Sequence, residues 1–300
     1  MDNRRYIGLG LATLVCLAFG CGDNAAGKGT VLVSLSGERA AEEGYPVGEG
    51  EDMIAFADGY HLKFESVLVS LTEMSFSEAQ DAVATLDVDP VVVELVDGPQ
   101  LSYSFVDVEA ARYRNVEFLI APATRASRPV GEVDEDDLST MAERGYALWV
   151  RGSATDGDET YRFDLGFETA VRSVHCKSGL DDTDGVVVVD NASVEVEVSI
   201  HLDHLWFDSY AYDGAPLRFE PWAAVADDDG LITLEALEGQ ALSDVIARDG
   251  TAVLNADGEL VVYDPGPLAV EPRDLRAFVT AAATTIGHFN GEGHCDYSLQ

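Results

Sequence analysis

Between Val194 and Asp203 the chain alternates strictly. Val194, Val196, Val198, Ile200 and Leu202 are apolar, and Glu195, Glu197, Ser199, His201 and Asp203 between them are polar. A period of two puts one set on each face of a β-strand, so this segment needs a sheet with one face on a core. Shorter strand-like runs recur at residues 30–35, 60–64, 67–76, 91–96, 101–108 and 116–120, punctuated by turns such as Asp58-Gly59 and Asp97-Gly98-Pro99. Residues 146–153 and 160–167 flank Thr155-Asp156-Gly157-Asp158-Glu159, where glycine after aspartate supplies the positive φ of a hairpin turn. After Phe219, alanine and leucine take helical spacing in residues 221–225 and 234–247, and residues 258–263 read as a late strand. Glu271-Pro272 reads as a helix start, with Leu275, Phe278, Val279, Ala282 and Ile286 along one face. The predicted class is mainly β: an antiparallel β-sandwich over residues 30–218, with a smaller helical part, residues 219–300, packed on it, α+β overall.

The N-terminus has a different character. A polar head, Asp2-Asn3-Arg4-Arg5, precedes the apolar residues 6–19. That run falls short of the about 20 apolar residues of a bilayer span and has the length of a secretory signal core. Leu17-Ala18-Phe19-Gly20-Cys21 resembles the lipobox of bacterial lipoproteins, although Ala18 and Phe19 depart from its commonest form. The resemblance implies cleavage between Gly20 and Cys21, a diacylglycerol on the Cys21 thiol, a signal peptide over residues 1–20 and a polar tether over residues 21–29. Each buried methylene of such an anchor contributes about 0.8 kcal/mol. Gly22, not aspartate, follows Cys21, so the resemblance points to the outer membrane of a bacterial envelope. The chain is also similar to acidic lipoproteins of bacterial envelopes.

Removing residues 1–20 takes away Asp2, Arg4 and Arg5, which turns a formal net charge of −37 into −38. That field repels nucleic acid, which needs a cationic surface, and sets that class of partner aside. Apolar residues make up 47% of the chain, enough for a packed core, so the acidity belongs to a folded protein and not to a disordered tail. Of the four cysteines, Cys16 lies in the signal and Cys21 would carry lipid. Cys176 and Cys295 remain, and in an oxidising compartment they are expected to form a disulfide.

No phosphate loop, nucleophile elbow or His-Glu-x-x-His helix is present, and the chain reads as a non-catalytic binding or interaction module. Its expected partners are the membrane, through the lipid, and a metal ion or another envelope protein. The alternative is a metal-binding protein or metal-dependent enzyme built on the late histidines His175, His201, His204, His288 and His294. Neutral imidazoles joined by a carboxylate such as Asp203, Glu292 or Asp296 suit zinc or copper. On a strand continuing past Ile200, however, His201 and His204 would face opposite ways, with His204 on the apolar side. A second candidate is Asp227-Asp228-Asp229-Gly230 and the residues to Glu235, which resembles the centre of a calcium-binding EF-hand loop. Asp227, Asp229 and Glu235 are its candidate ligands, but Val225 and Ala236 occupy two of the strongest ligand positions. Aromatic residues such as Trp149, Trp206 and Trp222 are expected in the core.

Gly59-Tyr60-His61-Leu62-Lys63-Phe64, Arg112-Tyr113-Arg114-Asn115-Val116-Glu117-Phe118, and Gly145-Tyr146 through Gly166-Phe167 resemble stretches of the MbnP-like family of periplasmic, copper-associated β-domains. The resemblance implies a periplasmic β-fold. The family's repeated cysteine motif is absent here, so it carries over no ligand. The anchor is testable directly: cells expressing the chain are expected to incorporate a radioactive fatty acid into it, and Cys21→Ala to abolish the label.

Overall fold

The computed structural model describes residues 27–77, 83–86 and 89–300. The signal, Cys21 and most of the tether lie outside the described residues. In chain order the strands and helices are β1 (Lys28–Ser36), α1 (Glu38–Glu43), β2 (His61–Ser77), β3 (Val83–Leu86), β4 (Val91–Glu94), β5 (Gln100–Glu109), β6 (Arg112–Tyr113), β7 (Asn115–Ile120), β8 (Arg128–Val130) and α2 (Glu135–Arg144). They continue with β9 (Leu148–Thr155), β10 (Thr160–Phe167), β11 (Val171–Val174), β12 (Val186–Val187), β13 (Ser193–Ile200), α3 (Glu220–Ala223), β14 (Leu231–Thr233), α4 (Leu275–Ala282), β15 (Gly287–Phe289) and β16 (Asp296–Leu299). The class is mainly β, as the alternation requires.

The smaller sheet runs β15-β13-β1-β5. The larger runs β14-β10-β9-β2-β7-β11-β16, with β3 and β4 also on β2 and β8 on β4. One buried apolar cluster takes in Val31, Val33 and Leu35 of β1, Val196, Val198 and Ile200 of β13, and Val67, Val69 and Leu71 of β2, so the two sheets share a core. At its centre Trp206 touches Tyr45, Phe56, Phe64, Phe163 and Trp222, mostly edge to face.

The long strand β2 changes its inward parity twice. Leu62 and Phe64 face the shared core, then Val67, Val69 and Leu71, then Met74 and Phe76. Each switch coincides with a register shift, between Phe64 and Ser66 against β9 and between Leu71 and Glu73 against β7. A β-bulge adds one unpaired residue and so exchanges the two faces. The two runs expected at 60–64 and 67–76 are therefore one bulged strand. Its outer face is buried too: Leu68 packs with Val92, Ala123, Trp149 and Met141 of α2. The expected hairpin of β9 and β10 forms with Thr155 opposite Thr160. Gly152 of β9 is required there, because a Cβ would collide with the Lys63 carbonyl and lie 2.7 Å from the Phe163 ring.

The sheets are not purely antiparallel as expected. β1 pairs with β13, β10 with β14 and β4 with β8 in parallel. A parallel pair needs a long crossover, and for β1 and β13 that crossover contains most of the larger sheet. The helical expectation for residues 234–247 is also corrected: only Glu235–Leu237 forms a 3₁₀ turn. Gly239, at φ +92, turns the backbone out of helix, and the apolar spacing serves a loop that buries Leu237, Leu242 and Val245. The expected late strand at 258–263 is a loop with a single bridge, Leu254 to Leu260. α4 begins at Leu275, after Pro272, because the Asp274 carboxylate accepts the Ala277 amide as N-cap. Its expected face holds, with Leu275, Phe278, Val279 and Ala282 all buried. Residues 219–300 also supply β14, β15 and β16 to the two sheets.

Cys176 and Cys295, 119 residues apart, are joined in a disulfide. Closing a loop of this length stabilises the fold by about 4–5 kcal/mol in the chain-entropy model. Phe163 is 2% exposed among Phe64, Trp206 and Phe219. Phe163→Ala is expected to cost about 3–5 kcal/mol in urea unfolding, with the slope against urea unchanged.

Candidate metal centre

Two local rules gather three histidines at one end of β13. In the antiparallel pair of β13 and β15, Ser199 lies opposite His288. Opposite residues share a face, and so do residues two apart on one strand. His288 and His201 are therefore diagonal neighbours, and their rings stack with centroids 4.1 Å apart. The strand does not continue to His204: after Ile200 the chain turns into a 3₁₀ helix, Leu202–Trp206. In that geometry residues three apart eclipse, and His204 comes back to within 5.8 Å of the His201 ring and 5.2 Å of the His288 ring. The opposite orientation expected for His201 and His204 is corrected on this ground. One ligand nitrogen from each of His201, His204 and His288 lies within 4.8 Å of the others.

The remaining candidates fall elsewhere. His294 is exposed, with its ring centroid 5.7 Å from that of His288. His175 is half-exposed, and its Nδ1 lies 3.2 Å from Asp296 Oδ2. The Asp227 Oδ1 atom is occupied by the amides of Asp229 and Leu231, 2.9 and 2.8 Å away, in a turn that leads into β14. Among the described residues, Asp227, Asp229 and Glu235 join neither of the two metal-type clusters.

The second cluster is Glu38, His201 and Glu292. Glu38 had no signal in sequence. The parallel register places Leu35 beside Val198 and Ser36 beside Ser199, so the two residues after β1 reach the position of His201. His201 Nε2 lies 3.4 Å from Glu38 Oε1, and its Nδ1 lies 3.6 Å from Glu292 Oε2. Glu292 sits in the loop after β15. Asn290 holds that loop by accepting the Glu197 amide at 2.8 Å and donating to Ser178 Oγ at 3.2 Å, and Ser199 Oγ donates to the Gly291 carbonyl at 2.8 Å. Gly293 permits the fold-back, because a Cβ there would strike the carbonyl oxygens of Phe289 and Lys177.

The three imidazoles differ in protonation. Burial, then the neighbouring His288, His201 and His294, pushes His204 down to about 3. Burial and then His201 and His294 push His288 down to about 4. His201 is also buried, which lowers its value, but Glu38, Glu292 and Asp203 together outweigh this and raise it. Two nitrogens in the group, His201 Nε2 and His288 Nδ1, are buried without a hydrogen-bond partner. A buried polar atom left this way costs about 1–3 kcal/mol, and a neutral imidazole nitrogen with a free lone pair is a ligand for zinc or copper. His204 Nδ1 is already committed to Thr285 Oγ1 at 2.8 Å, which leaves Nε2 for a ligand.

Comparison with known protein families, with curated proteins and with solved structures gives no match to this chain. The site is therefore read from its own chemistry.

The two depressed histidines carry a pH signature. Unfolded histidines take up protons near 6.5, so the stability held by neutral His204 and His288 is fully present above that pH and is lost as pH falls toward 4 and 3. His201 acts oppositely: its contribution is full below about 6.5 and is lost as pH rises through its raised folded value. His204→Gln is expected to flatten the fall of metal-free stability between pH 6.5 and 4 relative to the unsubstituted chain, read as midpoints of urea unfolding.

Proposed function

We propose that the chain is a lipid-anchored bacterial envelope protein that binds one transition-metal ion, zinc or copper, through His201, His204 and His288. The observation that carries this reading is the convergence of three imidazole nitrogens within 4.8 Å in a buried place. The anchor rests on the signal-like N-terminus and Cys21. A tetrahedral zinc site has Zn–N bonds of about 2.0–2.1 Å and hence ligand nitrogens roughly 3.3 Å apart. Binding at that spacing requires the rings to turn about their side-chain bonds, and the stacked pair of His201 and His288 to open so that both lone pairs aim at one ion. Glu38 and Glu292 place negative charge 3.4 and 3.6 Å from the two nitrogens of His201. Three protein ligands leave a further position for water or another ligand. The reading is one of binding, and it assigns no reaction.

Elemental analysis of the mature chain carrying Cys21→Ala, after equilibration with zinc or copper and removal of loose ions, tests it. One ion per chain is expected, with at least about a tenfold loss of affinity in His288→Ala, and a metal-free wild type would overturn the reading.

A further inference from the structure

Glu38 and Glu292 approach the same histidine from segments more than two hundred residues apart in sequence, and they do so at an opening. A cavity of about 480 Å³ lies over them, lined among others by Glu38, His201, Asp203 and Glu292 but by neither His204 nor His288. Solvent in this cavity meets several carboxylates, Glu38, Asp203 and Glu292 among them, and one imidazole edge, and the other two imidazoles lie beyond. The His201 side chain is 5% exposed, and its Nε2, 3.4 Å from Glu38 Oε1, has no hydrogen-bond partner. The side chains of Glu38 and Glu292 are 39% and 80% exposed. One ligand atom from each of the three lies within 4.8 Å of the others.

We propose that Glu38, His201 and Glu292 form an outer cation position through which the metal reaches the three buried histidines, with His201 a ligand in both places. This rests on the metal-binding reading above and adds a route and a second set of ligands to it. A divalent ion arriving from water keeps most of its hydration, and two carboxylates neutralise its charge while it is still partly hydrated. Carboxylate oxygens suit harder ions, whereas imidazole nitrogens hold zinc and copper more tightly. The ion therefore gains by exchanging Glu38 and Glu292 for His204 and His288, and turning the shared His201 ring is enough to keep one bond throughout. Once the ion is inside, the carboxylates remain close enough to balance the charge it brings into a site of neutral ligands. The cavity lining carries six carboxylates, from Glu38, Glu42, Asp52, Glu197, Asp203 and Glu292, against the one guanidinium of Arg39, and such an excess of negative charge concentrates cations and speeds their capture.

Cobalt(II), whose visible absorption reports nitrogen ligation, is mixed by stopped flow with the mature chain carrying Cys21→Ala. Glu38→Gln/Glu292→Gln is expected to slow uptake by about tenfold or more, while the final absorption and the one-to-one stoichiometry stay as in the parent. Asp213→Asn/Asp257→Asn removes the same charge from exposed sites elsewhere and is expected to leave the rate within about twofold. Glu292→Gln alone, at the more exposed of the two carboxylates, is expected to give intermediate slowing and guards against a folding defect in the double variant. Equal rates in the two double variants would overturn the outer position while leaving the metal reading intact. Loss of stoichiometric binding in Glu38→Gln/Glu292→Gln would overturn it too, because the carboxylates would then be ligands of the final site. Failure of the parent chain to take up cobalt would overturn both.

Discussion

The parallel pairing of β1 with β13 is the contact on which the rest of the structure depends. It joins the first described strand to one about two-thirds of the way along the chain, from Thr30 beside Ser193 to Ser36 beside Ser199. Val31, Val33 and Leu35 on one side and Val196, Val198 and Ile200 on the other are buried together beneath it. A slip of one residue would turn these side chains out of the core, so the apolar pattern fixes the register strongly. That register delivers Glu38 to His201. The strand that seeds the smaller sheet thus also sets the chemistry at its end.

An acidic chain has to place its carboxylates with care, and those held by donors or cations show how. Glu94 is 5% exposed, and its carboxylate accepts Ser66 Oγ and the amides of Val67 and Leu95 at 2.8–3.0 Å. The Asp58 Oδ2 atom accepts the amides of Phe219 and Glu220. Asp208 pairs with Arg218 at 2.5 Å, and Arg248 gathers Asp156, Glu159 and Glu220 from three segments. In each case hydrogen-bond donors or a guanidinium meet the negative charge. Glu38 and Glu292 are arranged differently: the nearest cationic group of each is a histidine that has a nitrogen left over. This contrast with the carboxylates of the preceding examples is what supports reading the end of β13 as a candidate ligand site.

Much of the fold was legible in sequence because period-two patterning is a local property. The alternation of β13, the β9–β10 hairpin and the apolar face of α4 could each be read from residues close together in the chain. The Cys176–Cys295 bond could be read as well, by elimination of the other two cysteines. Parallel pairing was not legible, since it depends on which distant strands share an edge and local alternation is blind to that. Glu38 was hidden for the same reason. The His201–His204 pairing was misjudged because the strand was extended past Ile200, where the backbone changes to a 3₁₀ turn without glycine or proline to announce it. In residues 234–247 the spacing of leucine and alanine is compatible with both a helix and a folded loop, and Gly239 decides for the loop.

The order in which the candidate ligands are made has a consequence of its own. Glu38 belongs to the first turn after the first strand, His201 and His204 come two-thirds of the way along, and His288 and Glu292 stand close to the C-terminus. The loop that carries Glu292 is held by Asn290 and followed at once by Cys295, whose partner lies far upstream. A ribosome that stops early would release a chain with most of the larger sheet and no centre at all. The candidate site is therefore assembled only where the first described strand, a segment two-thirds along and the C-terminal part of one polypeptide have met.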